Sequence, residues 1–199
     1  MKKLIIILMT VVLGFAFAGT ALAGDSYKAD KVHSTIGFAV SHLMVAKVTG
    51  TFNDYDSDIQ FNAKDLTGAK FDFVIKTASI DTKNEARDKH LKSADFFEAE
   101  KYPDIIFKTK EVVLKEGNNY DVAGTLTMKG VTKDIKIPVT VSGPITNPMS
   151  NAPMLGVEAH FQVNRQEYGL NWNKVMDNGG VMVGNNVDVN VFIEADAVR

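Results

Sequence analysis

The stretch YDVAGTLTMKGVTKDIKIPVTV, residues 120–141, decides the fold class of this chain. Apolar or small residues occupy every second position of residues 122–128, and the same alternation returns over residues 135–141. A period of two is typical of β-strands with one buried face, because successive side chains point to opposite sides of a sheet. Lys129-Gly130 lies between the two halves and supplies a short turn. The stretch therefore predicts a β-hairpin.

Similar alternation extends along most of the chain and predicts about eight strands. Hairpin-linked antiparallel strands of this number close into a barrel or stack as a sandwich. An eight-stranded barrel is just wide enough inside to hold one small ligand. The predicted strands, besides the hairpin, lie around residues 36–40, 51–61, 71–76, 105–110, 157–163 and 187–194, of which 51–61 is the weakest.

Proline and glycine mark the interruptions. Residues 115–119, KEGNN, predict a hairpin turn, and residues 143–154 contain three prolines and predict a loop. Pro138 stands on the polar face of its segment. Because proline cannot donate to a strand ladder, we expect its strand to lie at an edge or a bulge there.

Residues 1–23 have the layout of a secretory signal peptide. Lys2 and Lys3 precede an apolar run, and Ala21-Leu22-Ala23 places small residues where signal peptidases cleave. The run is short for a membrane anchor, which needs about 20 residues. We therefore expect cleavage near Ala23, a periplasmic or secreted protein, and a single domain at residues 24–199.

Composition excludes several function classes for that domain. Without Lys2 and Lys3, 20 of the 22 basic residues remain against 24 acidic ones, a net charge of −4. This balance argues against nucleic acid or an anionic membrane surface as the main partner. The chain has no cysteine, which rules out disulfides and thiol chemistry.

Residues 84–97, NEARDKHLKSADFF, depart from the strand pattern. Thr82 followed by Glu85 has the form of a capping box, which predicts a helix at about residues 83–95. On a helical wheel Asp88 faces outward toward Lys92, as Glu85 does toward Lys89. Arg87, His90 and Leu91 share the opposite side. Two interpretations stay open for Arg87 and His90. Either both extend from the helix edge or bond nearby carbonyl groups, or they face a ligand's head group at a barrel mouth.

Motifs for chemistry are missing from the sequence. It contains no nucleophile elbow, zinc-protease motif, phosphate-binding loop or dinucleotide fingerprint. The four histidines, His33, His42, His90 and His160, lack the close spacing of a compact metal site. We therefore predict no catalytic residue, no metal and no cofactor. The apolar interior has two interpretations, a packed core or the lining of a lipid tunnel, which periodicity cannot separate.

Four stretches together resemble the YceI-like family of periplasmic polyisoprenoid-binding proteins. They are DKVHSTIGFAVSH (30–42), SIDTKNEARDKHLKSADFFEAEKYPDIIF (79–107), GTLTMKGVTKDIKIPV (124–139) and NRQEYGL (164–170). The resemblance implies an all-β fold, a lipocalin-like antiparallel eight-stranded β-barrel with a central apolar tunnel and the short helix near one mouth. It also implies a long-chain amphiphile as the ligand, such as a polyisoprenoid, a prenyl quinone or a fatty-acid derivative.

The same resemblance suggests which residues serve that ligand. Residues 143–154 and 171–186 follow no family pattern, so they could reshape the mouth and alter the ligand. The candidates for head-group binding are Arg87, His90, His33, Ser34 and Arg165. The candidates for the tunnel lining are Ile36, Phe38, Val40, Phe71, Phe73, Ile75, Leu91, Phe107, Leu126 and Phe161.

We accordingly expect a periplasmic or secreted binding protein that sequesters or carries a long-chain amphiphile, with bound lipid in place of a cofactor. We expect no nucleic-acid partner and no stable membrane insertion, and homodimer formation stays open. Two rivals remain. One is an enzyme acting on a lipid head group, with His90 as acid or base and Arg87 stabilising negative charge. The other is a packed barrel that serves as a stress or interaction protein.

Overall fold

A computed structural model describes residues 25–176 and 180–198, and the predicted signal peptide lies outside those ranges. Within them no helix is both long and apolar enough to cross a bilayer. The described chain contains eleven strands and one α-helix. They are β1 Asp25–Ala29, β2 Thr35–His42, β3 Ala46–Phe52, β4 Tyr55–Phe61, β5 Lys70–Lys76, β6 Ile80–Asp81, α1 Glu85–Lys92, β7 Asp104–Glu116, β8 Asn119–Met128, β9 Val131–Thr146, β10 Pro153–Asn164 and β11 Val183–Ala197.

Three pairs of short strands act as bent long strands. The pairs are β1 with β2, β3 with β4, and β5 with β6. β1 and β2 both pair with β11, while β4 and β3 pair with β1 and β2 on one side and with β5 and β6 on the other. Counting each bent pair once gives eight antiparallel strands, each bonded to the next along the chain. β11 bonds back to the first bent strand and closes the ring. The predicted all-β, eight-stranded barrel with one short helix is therefore confirmed.

The bend between β1 and β2 lets β11 keep its partners along its whole length. The Asp30 carboxylate accepts from the Val32 N–H at 2.7 Å, which turns the chain outward. The Ser34 hydroxyl then accepts from the Glu194 N–H at 3.0 Å and donates to the Glu194 carbonyl at 3.2 Å. A side chain thus replaces the ladder bonds that the bend interrupts, because buried backbone groups need partners.

One end of the barrel is filled and the other is hollow. The filled end, around β1 and β4, packs Phe61 against Phe71 and Tyr120 at centroid distances of 5.7 and 5.3 Å. Aromatic rings at this spacing bury large areas and seal that end. The hollow end, around β2 and β3, contains a cavity. Buried residues of the filled end include Tyr27, Ile59, Phe61, Tyr120, Leu155 and Ala195.

Several local predictions were right and two were wrong. The turns at Gly117 and at Lys129-Gly130 are confirmed, since strands end and begin on either side of them. Pro138 pairs with β8, but the pairing of β9 with β10 begins only at Val139. The predicted local edge at Pro138 is therefore confirmed. The segment 51–61 is two strands, broken between Phe52 and Tyr55. The predicted loop 143–154 is shorter, because strand pairing continues to Thr146 and resumes at Pro153.

The close approach of β8 to β7 at Gly124 yields a stability prediction. A Cβ on Gly124 would clash with the Lys108 carbonyl oxygen and lie 2.8 Å from Phe107 Cζ. We expect Gly124→Ala to lower the free energy of unfolding by about 1–3 kcal/mol, the usual effect of overpacking. Gly156→Ala is the control, since its Cβ would meet only the Ser142 Cβ at 3.6 Å. Urea denaturation measures both, and equal midpoints for the two variants would contradict the prediction.

Candidate ligand-binding cavity

The hollow end contains a cavity that opens to solvent, and cavity and mouth together comprise about 1400 Å³ of space not occupied by atoms. Alternation along the strands accounts for the lining, because every second residue of each strand faces inward. Among the described residues that line it, Arg165 is the only one with a polar side chain. The lining includes all ten residues predicted for it: Ile36, Phe38, Val40, Phe71, Phe73, Ile75, Leu91, Phe107, Leu126 and Phe161.

The lining also contains aromatic residues that the sequence analysis missed. Phe96 and Phe97 follow α1 and come from a segment with no strand alternation to reveal them. Phe52 was missed because it is out of phase with Tyr55, Ile59 and Phe61, from which the break between β3 and β4 separates it. Phe97 meets the edge of Phe52 at a centroid distance of 5.9 Å. This contact fixes the segment after α1 against β3.

Helix α1 covers this cavity and begins later than predicted. Lys83 has a φ of 61°, so the chain becomes helical only after Asn84. The Asn84 side chain caps the helix by accepting from the Arg87 N–H at 2.9 Å. The predicted capping box of Thr82 and Glu85 is therefore wrong, and the helix is Glu85–Lys92 rather than 83–95.

Arg87 and Asp88 both bind the buried Thr82 instead of facing a ligand or a lysine. The Arg87 guanidinium donates to the Thr82 hydroxyl and carbonyl oxygens, each at 2.7 Å. The Asp88 carboxylate accepts from the Thr82 N–H at 2.9 Å and from its hydroxyl. Within the described chain neither predicted ion pair of α1, Glu85–Lys89 or Asp88–Lys92, forms, and Asp88 binds Thr82 instead. These bonds hold α1 to the end of β6.

His90 belongs to an aromatic cluster above the cavity. Its Nε2 lies 2.8 Å from Asp95 Oδ2. Its ring meets Phe96 and Trp172 edge-on, both at a centroid distance of 5.0 Å, and Phe96 lies 5.2 Å from Trp172. Trp172 belongs to residues 170–176, here called the strap, which follows the 3-10 turn Arg165–Tyr168. The cluster therefore joins two covering segments, α1 and the strap.

Arg165 is a buried cation without an acidic partner among the described residues. It is 5% exposed. Its Nε donates to the Gly184 carbonyl at 2.9 Å and its Nη1 to the Trp172 carbonyl at 2.9 Å, with a further short bond to the Leu170 carbonyl. Burial lowers the pKa of the guanidinium from its ordinary value, yet arginine stays charged at neutral pH. The side chain fastens the strap to the start of β11.

His33 and Ser34 lie elsewhere, at the bend between β1 and β2. His33 Nδ1 is 2.7 Å from Asp30 Oδ2 and 3.9 Å from Glu194 Oε1. These three groups place one ligand-type atom each within 4.8 Å of one another, but hydrogen bonding and charge already explain the grouping. The bond to Asp30 and its negative charge raise the pKa of His33, and the same bond lowers the pKa of Asp30.

The five head-group candidates therefore occupy three separate places. Arg87 and His90 lie in the cover, Arg165 lies at the junction of strap and barrel, and His33 and Ser34 lie at the bend. Of the five, only Arg165 lines the cavity. Contact of any of them with a head group stays a prediction.

Comparison with known proteins places this architecture among relatives. The sequence profile of the YceI-like domain matches residues 27–195. A UPF0312 protein of Staphylococcus epidermidis is 42% identical over 158 residues, which are 79% of this chain and 90% of the relative. One from Staphylococcus aureus strain N315 is 40% identical over the same shares.

Solved structures agree with the fold. The YCEI protein of Campylobacter jejuni is 29% identical, with a TM-score of 0.69 over 80% of this chain and 90% of that protein. BcnA of Burkholderia cenocepacia, 19% identical, has a TM-score of 0.73 over 83% and 98%. A polyisoprenoid binding domain from Saccharophagus degradans, 17% identical, has a TM-score of 0.67 over 87% and 99%. At such low identity the last two support the fold alone.

The bonds of Arg165 generate a prediction about stability. Arg165→Met removes donors from several buried carbonyls at once, so we expect the free energy of unfolding to fall by roughly 2–4 kcal/mol. Arg87→Met is the matched control and should lose only about 1 kcal/mol, because that arginine is half-buried and serves Thr82 alone. Chemical denaturation of both variants measures the difference, and an equal or smaller loss for Arg165→Met would refute the role in fastening the strap.

The Asp30–His33 pair predicts a pH dependence. The pKa of His33 is raised in the folded state, so its contribution is fully present below the unfolded value of 6.5 and is lost as pH rises through the folded value. The pKa of Asp30 is lowered, so its contribution is lost as pH falls through a folded value below 3.8. We expect His33→Asn to lower the melting temperature most between these limits. A deficit that is as large at pH 9 as at pH 5.5 would contradict this assignment.

Proposed function

Since this chain belongs to the YceI-like family, we propose that it is a binding protein that holds the apolar chain of a long amphiphile inside its barrel. The match of the YceI-like domain to residues 27–195 confirms the predicted family. The observation that carries the proposal is the cavity at the hollow end, whose described lining is apolar except for Arg165. Such a surface can bind hydrocarbon, whereas a charged metabolite would lose its hydration without gaining partners.

Burial of the hydrocarbon supplies the binding energy. Each CH₂ removed from water contributes about 0.8 kcal/mol. A chain of about ten carbons would therefore gain roughly 8 kcal/mol before the costs of association are subtracted. The lining comes from many strands of the barrel and from the segment after α1, so hydrocarbon can contact apolar side chains on every side. A long tail is thus the ligand feature that this site favours.

The polar part of the ligand would stay near the mouth. Arg165 already donates to carbonyl groups of the strap and β11, so its bonding capacity is largely used. An anionic head group driven deep into the barrel would find no other polar side chain among the described lining residues. We therefore propose entry tail-first, with the head group held where α1 and the strap meet the barrel.

The ligand class we propose is a polyisoprenoid, a prenyl quinone or a fatty-acid derivative. One structural neighbour is described as a polyisoprenoid binding domain, which fits this class without identifying the ligand here. A periplasmic or secreted location, with carriage or storage of the lipid across an aqueous space, completes the proposal. It accords with the leader sequence predicted at residues 1–23.

The two rival functions fit the geometry less well. For head-group catalysis, His90 would have to leave Asp95 and its ring contacts, and Arg87 would have to release Thr82. Neither side chain lines the cavity. A fully packed barrel does not fit the hollow end. Binding without covalent chemistry is thus the better account.

Direct extraction tests the proposal. The protein should be purified without detergent, extracted with organic solvent, and the extract analysed by mass spectrometry. We expect a long-chain lipid in the extract and saturable uptake of a fluorescent fatty-acid probe by the extracted protein. An empty extract together with no probe uptake would overturn the proposal.

Filling the cavity should abolish binding. Ala159 faces the cavity, and Ala159→Phe would occupy part of the space meant for the chain, so we expect probe affinity to fall at least about tenfold. Val113→Phe, at an exposed position of β7, is the matched control and should bind as the parent does. Probe titration measures affinity, and far-ultraviolet circular dichroism checks the fold. Unchanged binding by a folded Ala159→Phe variant would argue against the cavity as the site.

Substitution of His90 separates the binding protein from the enzyme. His90→Ala removes the predicted acid or base but leaves the cavity lining intact. We expect the variant to retain co-purified lipid in amounts close to the parent's, as judged by mass spectrometry. Turnover of a lipid head group by the parent, lost in a folded His90→Ala variant, would favour the enzyme instead.

A further inference from the structure

Two neighbouring segments at the hollow end carry large apolar side chains into solvent. The first is the turn that joins β2 to β3, and the second comprises Val175, in the strap, and Val181, just before β11. We call their five exposed residues the rim. Their exposed fractions are Leu43 37%, Met44 68%, Val45 88%, Val175 72% and Val181 38%.

Backbone bonds hold the two segments side by side. His42 pairs with Val183, and the Leu43 N–H donates to the Met182 carbonyl at 2.8 Å. Val175 and Val181 form a bridge of their own. The rim is therefore one surface built from two segments distant in sequence, and contiguous exposed apolar surface on a soluble barrel marks an interaction site.

The backbone of the first turn is strained at two of the residues that it exposes. Leu43 and Met44 have φ values of 52° and 63°, and the Val45 N–H donates to the His42 carbonyl at 3.3 Å. A β-turn whose two central residues both have positive φ normally contains Asn-Gly, because other residues resist the left-handed region. Here Leu and Met occupy it without being buried. Strain that gains no packing is a sign of function.

The rim is adjacent to the cavity that the proposed function assigns to an amphiphile. Val40 and Val183 line the cavity, and each lies within a few residues of the rim along the chain. Two exposed lysines flank it: Lys47 pairs with Asp188 at 2.6 Å, and Lys174 has no acidic partner within the described chain. Apolar tips beside ammonium groups suit the boundary between acyl chains and phosphates of a bilayer.

We propose that the rim docks reversibly onto the surface of a phospholipid bilayer and so brings the cavity mouth to the membrane. The inference rests on the proposed function for the purpose of docking, while the contact itself rests on the rim. Docking of this kind is peripheral and shallow. The net charge of the domain opposes anionic surfaces in general, so the apolar tips must supply most of the affinity.

Vesicle sedimentation tests the proposal with the chain from Gly24 onward, which contains the whole described barrel. The probes are vesicles of phosphatidylcholine alone and vesicles with one part in four phosphatidylglycerol. We expect the parent to bind both, and Met44→Asp with Val45→Asp to lower the partition coefficient about tenfold or more. Ile145→Asp with Met149→Asp is the matched control. It changes two exposed apolar residues at the filled end and should bind as the parent does.

A second variant separates docking from misfolding. Leu43→Asn with Met44→Gly supplies the residues that the turn geometry favours, so we expect a higher melting temperature together with weaker vesicle binding. Lys174→Gln should reduce the additional binding to phosphatidylglycerol vesicles and leave binding to pure phosphatidylcholine unchanged. Equal vesicle binding by the parent and both Leu43/Met44 and Met44/Val45 variants would overturn the proposal.

Two further measurements keep this inference distinct from the proposed function. The rim variants should take up the fluorescent fatty-acid probe from solution as the parent does, because their cavity is intact. A parent that sediments with vesicles but takes up no probe would sink the proposed function and leave the docking surface standing. A parent that binds no vesicles, but changes from dimer to monomer on rim substitution, would show a contact between copies of this chain and overturn membrane docking.

Discussion

Closure of the barrel through β11 is the constraint on which the rest of the structure depends. The backbone of this strand pairs with β10 on one edge and with both halves of a bent strand, β1 and β2, on the other. The Ser34 hydroxyl bridges the gap at the bend by bonding both backbone groups of Glu194. Without this replacement the ring would present unpaired backbone groups, which are costly when buried and prone to aggregation when exposed.

Closure creates two ends with different contents, and the difference produces the site. Large aromatic side chains pack against one another in the end around β1 and β4 and are buried there. At the other end, valine and phenylalanine side chains line a space that they do not fill. The same alternation of residues therefore builds a packed core and an empty chamber, depending on side-chain volume and on the strand bends.

The cover over the chamber uses polar residues as fasteners. Thr82 forms hydrogen bonds with Arg87 and Asp88, and Arg165 donates to carbonyl groups of the strap. The His90 ring packs against Trp172. Several residues that would suggest catalysis in the sequence are thus engaged in holding loops. This division leaves the chamber almost purely apolar and places the rim, with its strained turn, beside its mouth.

The sequence by itself determined the class of the fold and the inward face of each strand, because a period of two allows only one choice of buried side. The ten lining residues could be predicted for that reason. Tertiary structure decided the rest. It produced the bends that convert eleven strand segments into eight, the bonds of Thr82, and the hydrogen bonds from Arg165 to carbonyl groups. None of these features follows the period of two, so the sequence pattern does not reveal them. Whether inward residues fill a space or line it depends on volumes summed across the barrel, which only the closed ring defines.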